Sequence, residues 1–189
     1  MQKSEDLDRR EFFRLGLRKA ARTAVKEADS VAKKRARHWI RPPYALDELE
    51  FLMTCTRCGD CIEVCPHKVV FALPPRLGAQ IVNTPALDLL HKGCHLCNDW
   101  PCVQACEPAA LKITDEPTVV PQLAIASIDT QTCLPYTGPE CGACANSCQI
   151  TGALIWDGVQ PSINSDICNG CALCREACIV EPKAIQIKT

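Results

Sequence analysis

Residues 55–66, CTRCGDCIEVCP, carry four cysteines in the spacing C-x2-C-x2-C-x3-C-P. Thiolates at this spacing are typical ligands of [4Fe–4S] clusters. The first three can cap three iron corners of one cube as the chain curls around it, and the fourth points to a neighbouring cluster. The stretch therefore predicts a pair of clusters rather than an isolated one.

Three more cysteine quartets follow along the chain. Residues 168–178, CNGCALCREAC, repeat the spacing without the proline, whereas residues 94–106, CHLCNDWPCVQAC, and 133–148, CLPYTGPECGACANSC, are stretched variants. Both variants keep the terminal C-x3-C, so the ligand count is intact. We predict four [4Fe–4S] clusters held by sixteen metal ligands: Cys55, Cys58, Cys61, Cys65, Cys94, Cys97, Cys102, Cys106, Cys133, Cys141, Cys144, Cys148, Cys168, Cys171, Cys174 and Cys178.

Other uses of the cysteines fit the spacing less well. Structural zinc sites usually combine two C-x2-C pairs across a longer loop, whereas each quartet here lies within 11 to 16 residues. Disulfides require an oxidising compartment and gain nothing from quartets. A three-iron cluster or an empty site in one stretched quartet stays open as an alternative.

Composition and charge argue against several classes of function. Only 5% of the 189 residues are aromatic, so metal ligation is expected to supply stability that a core of large side chains would otherwise give. Residues 1–41 carry 13 Lys and Arg against 6 Asp and Glu, a net of +7, which leaves −8 for residues 42–189. Clusters with four thiolates add negative charge, so we expect no nucleic-acid partner. The sequence contains no run of about 18 apolar residues, so no membrane-spanning helix is predicted.

The basic N-terminal region is predicted to be a helical arm. Residues 8–37 contain no proline and many helix formers, with a weakly apolar, alanine-rich face beside a row of arginines. Pro42 and Pro43 end the arm. Three roles are expected for the arm. Residues 8–37 contact a membrane surface, dock on an acidic partner, or pack against the acidic remainder of the chain.

Short apolar runs accompany the quartets and predict strands. Each quartet is followed by one, and two further runs precede the third and fourth quartets: 69–73, 110–113, 153–156, 184–187, 123–128 and 159–163. Asp157 and Gly158 predict a two-residue hairpin turn. Residues 123–128 are expected to pair with 184–187.

Few other residues suggest chemistry. His38, His67, His91 and His95 are scattered and are predicted to be surface or packing residues. Trp100 and Tyr136 lie inside the stretched loops and are expected to shield clusters from water. There is no glycine-rich phosphate loop, so neither a nucleotide nor a substrate site is predicted, and the chain is not expected to be an enzyme.

The chain resembles the ferredoxin-type proteins of the NapG/MauM kind, associated with periplasmic nitrate reductase and methylamine utilisation. The resemblance covers residues 40–187 and rests on the four quartets with their surroundings, such as IRPPYALDELEFLMTCTRCGDCIEVCP and GCHLCNDWPCVQACEPAAL. It implies four [4Fe–4S] clusters that pass electrons between a quinol-oxidising membrane partner and a terminal redox enzyme. It also implies that all sixteen cysteines are ligands.

The N-terminus departs from that family, in which a twin-arginine export signal is usual. Arg9 and Arg10 resemble the start of such a signal, but charged residues interrupt every apolar run that follows. A signal needs about 7–15 consecutive apolar residues. Cytoplasmic residence, with peripheral contact to the cytoplasmic membrane, is therefore the expectation, and the alternative is a periplasmic protein with an atypical signal.

These observations predict an α+β chain of two ferredoxin-like modules with short antiparallel strands. The expected divisions are a basic helical arm at 1–41, a module with quartets one and two at 42–120, and a module with quartets three and four at 121–189. The rival arrangement joins the first quartet to the fourth and the second to the third. The predicted function is electron transfer; the alternatives are an iron–sulfur maturation or interaction factor and an electron-transfer subunit of a larger oxidoreductase.

Overall fold

The computed structural model describes residues 22–24, 26–27, 39–113 and 120–188. Residues 22–24 and 26–27 are helical, and the rest of the predicted arm helix at 8–37 lies outside the described residues. Residues 39–113 are called the first half below, and residues 120–188 the second half. In the part of the chain that is described, no helix has both the length and the apolar character to cross a membrane.

The described chain combines short helices with short antiparallel strands, as predicted for an α+β fold. The helices span Glu48–Thr54, Asp60–Glu63, Pro101–Gln104, Leu134–Thr137 and Leu173–Ala177. The strands are β1 (Val70–Ala72), β2 (Pro85–Leu87), β3 (Ile125–Ile128), β4 (Leu154–Asp157), β5 (Gln160–Ile163) and β6 (Ile185–Lys188). They form three two-stranded sheets: β1 with β2, β3 with β6, and β4 with β5.

The sheet of the first half agrees only partly with the sequence. The run 69–73 forms β1, but its partner is β2, which pairs Val70 with Leu87 and which the sequence analysis did not predict. The run 110–113 is not a strand; it makes a single bridge between Ala45 and Leu111. Strand β2 begins with a proline and is buried throughout, so it has neither the composition nor the alternation that marks a strand.

The two sheets of the second half were predicted. Strand β3 pairs with β6, with Ile128 opposite Ile185, as expected for runs 123–128 and 184–187. Strands β4 and β5 form the predicted hairpin, with Asp157 opposite Gln160. The turn lies one residue further on than predicted, at residues 158–159, where Gly158 has a φ of 59°. Glycine adopts this left-handed angle at no steric cost.

A buried ion pair anchors the start of the first half. Arg41 Nη2 lies 2.6 Å from Glu48 Oε1, and the two side chains are only 10% and 6% exposed. Arg41 also donates to Thr84 Oγ1, and its guanidinium carbon lies 4.6 Å from the centre of the Phe51 ring. Because the guanidinium donates four hydrogen bonds, two to Glu48 and one each to Thr84 and the Pro85 carbonyl oxygen, the charge is tolerated away from water. The pair fixes helix Glu48–Thr54 next to the first quartet.

Apolar side chains pack in small clusters rather than in one large core. Leu73, Ile81 and Ala86 form a cluster beneath the first sheet that contains no cysteine. In the second half, the buried cluster consists of Cys144, Cys174 and Ile185, surrounded by partly buried residues of the strands. Two of the three buried residues of this cluster are therefore cysteines, and most other buried apolar residues of the second half are small, such as Ala153 and Ala184.

Candidate metal centres

The cysteines of the first half meet in two groups of four. Group A contains Cys55, Cys58, Cys61 and Cys106. Group B contains Cys65, Cys94, Cys97 and Cys102, which line one apolar cavity. Each group thus takes three cysteines from one quartet and the fourth cysteine from the other quartet of the same half. The ferredoxin-type spacing predicts that the fourth cysteine of a quartet points to a neighbouring cluster.

The second half repeats this exchange. Group C contains Cys133, Cys141, Cys144 and Cys178, which line a second apolar cavity. Group D contains Cys148, Cys168, Cys171 and Cys174. All sixteen cysteines are free of disulfides, and every one belongs to one of the four groups.

Left-handed backbone angles curl the chain inside three quartets. The second residue after the first cysteine has a positive φ in each of them: Arg57 at 61°, Leu96 at 47° and Gly170 at 71°. The backbone N–H of this residue donates to the sulfur of the first cysteine; the Gly170 nitrogen lies 3.4 Å from Cys168 Sγ. Non-glycine residues rarely adopt such angles. The turn is useful here because an N–H aimed at sulfur favours a thiolate.

A second left-handed residue precedes the third cysteine of the same quartets. It is Gly59 at 91°, Trp100 at 45° and Ala172 at 67°. Each one stands directly before a short helix that carries the third cysteine. These helices orient their cysteines in the same way, so three quartets share one local geometry despite the stretched loop of the second.

The third quartet departs from this geometry. Helix Leu134–Thr137 follows Cys133 directly and occupies the enlarged loop. Tyr136 Oη donates to the carbonyl oxygen of Pro161 in β5 at 2.8 Å, which ties the loop to the hairpin. The loop contributes Leu134 and Pro135 to the wall of the group C cavity. The extra residues therefore build a wall around the cysteines.

Burial raises the pKa of several of these thiols. Burial, followed by the neighbouring Cys106, Cys55 and Cys58, raises the pKa of Cys61 to about 12. Burial likewise raises the pKa of Cys174 to about 12 and that of Cys144 to about 11. Only thiolates ligate metals, so a metal or cluster that binds here must displace protons.

The donor set fits iron–sulfur clusters. Each group presents four soft sulfur donors, the ligand type and number that a cube-shaped cluster takes. The walls of the group B and group C cavities are mainly apolar, which keeps water from the sulfurs. Among the described residues, the His, Cys, Asp and Glu side chains nowhere form a group of three or more close enough to share a single metal ion.

Two histidines pack beside group B, which the sequence analysis did not anticipate. The rings of His67 and His95 are stacked, with centroids 3.5 Å apart and an angle of 6° between planes. Burial lowers the pKa of His95 and the neighbouring His67 lowers it further, whereas Glu176 raises it. The two residues are 28 positions apart in the sequence, so no local pattern could have revealed the contact.

Trp100, which the sequence analysis expected to shield a cluster from water, lies in the wall around group B. It lines the cavity with Cys97 and Cys102, and its ring meets Tyr44 edge to face at 4.9 Å between centroids. By contrast, Cys58 of group A is exposed, whereas the other fifteen cysteines are buried or partly buried. Group A is therefore the group most open to solvent.

Comparison with known proteins gives several relatives. The chain is 33% identical over 163 residues to the ferredoxin-type protein NapG of Haemophilus influenzae, a match that covers 78% of this chain and 58% of that protein. It is 34% identical over 163 residues to the methylamine utilization ferredoxin-type protein MauM of Methylobacillus flagellatus, covering 67% of that protein. The MauM protein of Methylorubrum extorquens is 31% identical over 207 residues, covering 99% of this chain and 91% of that protein.

Neither a protein-family model nor a solved structure matches the chain. The chain spans less than two thirds of the NapG relative, although it spans nearly the whole of the MauM relative from Methylorubrum extorquens.

Proposed function

Because the chain belongs to the ferredoxin-type proteins of the NapG/MauM kind, we propose that it carries electrons through four [4Fe–4S] clusters from a donor to a redox enzyme. As a ferredoxin-type protein it is an iron–sulfur electron-transfer protein. The finer features, namely the number and type of the clusters, their ligands and the partners, rest on the arguments that follow.

One observation carries the proposal: sixteen cysteines form four groups of four, and each group is completed by a cysteine from a neighbouring quartet. In two-cluster ferredoxins the fourth cysteine of a quartet ligates the other cluster. The same exchange in both halves supports two ferredoxin-like modules, residues 42–120 with groups A and B and residues 121–189 with groups C and D. The basic arm keeps its proposed bounds, 1–41, and its last residues, Ile40 and Arg41, contact the first half.

Serial electron transfer explains four groups better than a structural role does. A maturation or interaction factor needs one or two clusters for stability, whereas a row of centres provides a path for an electron. The proposed chemistry is one-electron transfer without a substrate site of the chain's own, so the protein acts as a carrier or as a subunit of an oxidoreductase. Hydrogen bonds to sulfur and solvent exposure set the potential of each centre.

The proposed partners follow from the family resemblance. A quinol-oxidising membrane protein is the proposed donor and a terminal reductase the proposed acceptor; nucleic acid is not among the partners. We place the protein in the cytoplasm, with the arm at 8–37 reaching the cytoplasmic face of the membrane through its basic residues. Export by an atypical twin-arginine signal is the alternative.

Metal analysis tests the proposal. After anaerobic purification we expect about sixteen iron and about sixteen acid-labile sulfide atoms per chain, because four quartets each hold one cube. About half that iron would contradict four cubes. Abundant zinc without the broad visible absorption of iron–sulfur clusters would contradict clusters altogether.

Fractionation tests the arm and the location. Each Lys or Arg close to an anionic membrane contributes about 1 kcal/mol of attraction, and salt screens this attraction. Recovery with membranes at low salt and release at high salt would support docking. A reporter that is active only after export, fused to residues 1–41, distinguishes the compartments: activity of the reporter would contradict cytoplasmic residence.

A further inference from the structure

The two halves of the chain meet at a buried contact between group B and group D. The backbone N–H of Cys94 donates to the carbonyl oxygen of Cys171 at 2.8 Å. Cys94 is 8% exposed and Cys171 is 7% exposed. Two proposed ligands from different halves are thus joined by one direct hydrogen bond between their backbones.

The fit around this hydrogen bond leaves no room for a larger residue at position 93. A Cβ atom added to Gly93 would lie 2.7 to 2.8 Å from atoms of Leu173, including its backbone nitrogen and Cα. Real Cβ atoms essentially never come so close to backbone. The backbone angles of Gly93 are not left-handed, so the close approach alone explains why glycine is needed here.

Further polar contacts hold the halves together at the same place. The Gly93 N–H donates to Glu176 Oε2 at 2.8 Å, and Arg175 Nε donates to the Leu90 carbonyl oxygen at 3.0 Å. Both partners from the second half belong to helix Leu173–Ala177. The apolar side of the contact is a buried cluster that combines Cys94 with Ala124 and Ala172.

The packing also orders the four groups. Cys61 of group A and Cys102 of group B contact the same apolar cluster. Cys174 of group D and Cys144 of group C likewise share a cluster. Together with the Cys94 contact to group D, this gives the order A, B, D, C, in which groups B and D are the inner pair.

We propose that an electron crosses between the two halves at the contact of Cys94 with Cys171, and that Gly93 keeps this crossing short by allowing Leu173 to approach. The inference rests on the proposed four-cluster function. Clusters held by groups B and D would supply the two one-electron sites, and the site at group B would be oxidised by one electron as the site at group D is reduced. No bond forms or breaks. The electron is supplied to the chain by an external one-electron donor protein, and in the test by dithionite.

The variant Gly93→Ala tests the crossing, with Gly142→Ala as a matched control. Gly142 also lies beside proposed ligands and its backbone angles are also not left-handed, but a Cβ there meets no atom within 4 Å. Both full-length variants are loaded with clusters and analysed for iron, for hydrogen exchange at the Cys94 amide, and for magnetic coupling between reduced centres by paramagnetic resonance. Reduction with substoichiometric dithionite, followed in time by rapid-freeze paramagnetic resonance, measures how the electron redistributes between the halves.

We expect Gly93→Ala to keep its iron, to exchange the Cys94 amide faster, and to lose both the coupling and the fast electron exchange between halves. Coupling within each half should persist. Gly142→Ala should match the unmodified chain in every measurement. Faster exchange at Cys94 with unchanged coupling and electron exchange would overturn the proposal, because electrons would then cross elsewhere.

Two further outcomes separate this inference from the proposed function. An unmodified chain that holds about sixteen iron atoms but shows no electron exchange between halves refutes the crossing and leaves the four clusters in place. An unmodified chain without clusters refutes the proposed function itself. If Gly93→Ala loses iron, the variant Glu176→Ala replaces it in the test, because it removes the acceptor of the Gly93 N–H without adding an atom at the contact. Full iron with partial loss of coupling between the halves supports the crossing. Full iron with faster exchange of the Cys94 amide but unchanged coupling overturns it.

Discussion

The two halves hold their cysteine groups in different ways. The first half surrounds groups A and B with a buried ion pair, the fully buried ring of Phe51 and a cysteine-free apolar cluster around Leu73. The second half holds groups C and D between two-stranded sheets, and two of the three buried members of its own cluster, Cys144 and Cys174, are cysteines. The first half can therefore keep apolar packing when its thiols are altered, whereas the second half depends on the cysteines and on what they bind.

The largest expected effect comes from one matched pair of cysteine variants. Cys61 and Cys174 are both third cysteines of their quartets, and each is 8% exposed. Each alanine variant should lose the cluster of its own group, about four iron atoms, because three cysteines no longer complete the ligand set. Cys174→Ala should also open its half more than Cys61→Ala, because metal binding and folding are one free-energy term in so small a core. Iron analysis and hydrogen exchange of each half measure both effects.

The comparison fails if the two variants open their halves equally. It also fails if Cys61→Ala is the more disruptive of the two. Full iron in either variant would contradict the ligand assignment.

Raising the pH of the metal-free chain should produce the next effect. Burial raises the pKa of Cys61 and Cys174 to about 12, from 9.0. A folded pKa above the unfolded value means that these thiols stabilise the fold fully below pH about 9 and that this stability is lost as the pH rises towards about 12.

Burial also raises the pKa of Cys94 and Cys102 in the first half, so alkaline pH should destabilise both halves once iron is removed with a chelator under reducing conditions. The second half should unfold first because it lacks a cysteine-free apolar cluster like that around Leu73. Fluorescence of two variants, one that keeps only Trp156 of the second half and one that keeps only Trp100 of the first half, reports the order.

Loss of structure in the metal-free chain on acidification from pH 7, with none on alkalisation, would contradict the sign of this effect. Simultaneous transitions of both tryptophans would contradict the difference between halves.

A smaller and local effect is expected from Glu48→Gln, which removes the charge that pairs with Arg41. An unpaired buried charge costs about 3 kcal/mol when its partner is lost. Urea denaturation of the cluster-loaded chain should show this loss in the first half. Glu50→Gln, in the same first turn but exposed, is the control and should change little. Equal stability of the two variants would mean that the ion pair does not support the first half.

The smallest effect is expected from Tyr136→Phe in the second half. The variant loses one neutral hydrogen bond to the Pro161 carbonyl, worth about 1 kcal/mol. Iron content should stay unchanged, because the loop is a wall rather than a source of ligands. Urea denaturation measures the loss, and a loss of iron from group C would show that the loop also positions ligands.

The sequence predicted the second half better than the first. Runs 123–128, 153–156, 159–163 and 184–187 appear as strands within a few residues, and both sheets have the expected partners. These pairings follow from local turn chemistry and from clear apolar runs. In the first half, the sequence analysis missed β2, because a strand that begins with Pro85 and is buried throughout shows no alternation of apolar and polar residues. The run 110–113, predicted to be a strand, makes only the bridge at Leu111.

The features of the candidate site also differ in how far the local sequence predicts them. The sixteen cysteines and the left-handed turns near Gly59 and Gly170 belong to local sequence, since three thiols separated by two residues each require the chain to curl around one centre. The stack of His67 on His95, the buried Arg41 and the contact of Gly93 with Leu173 have no such local sign.

The sequence by itself determined the cysteine quartets, their spacing and the short strands beside them, because these depend on residues only a few positions apart. Only the tertiary structure shows which cysteines line the same cavity and where the two halves meet. Cys94 and Cys171 are 77 residues apart, and the hydrogen bond between their backbones depends on packing of the whole chain. Backbone groups carry no residue-specific pattern, so this contact could not be inferred from the amino-acid order.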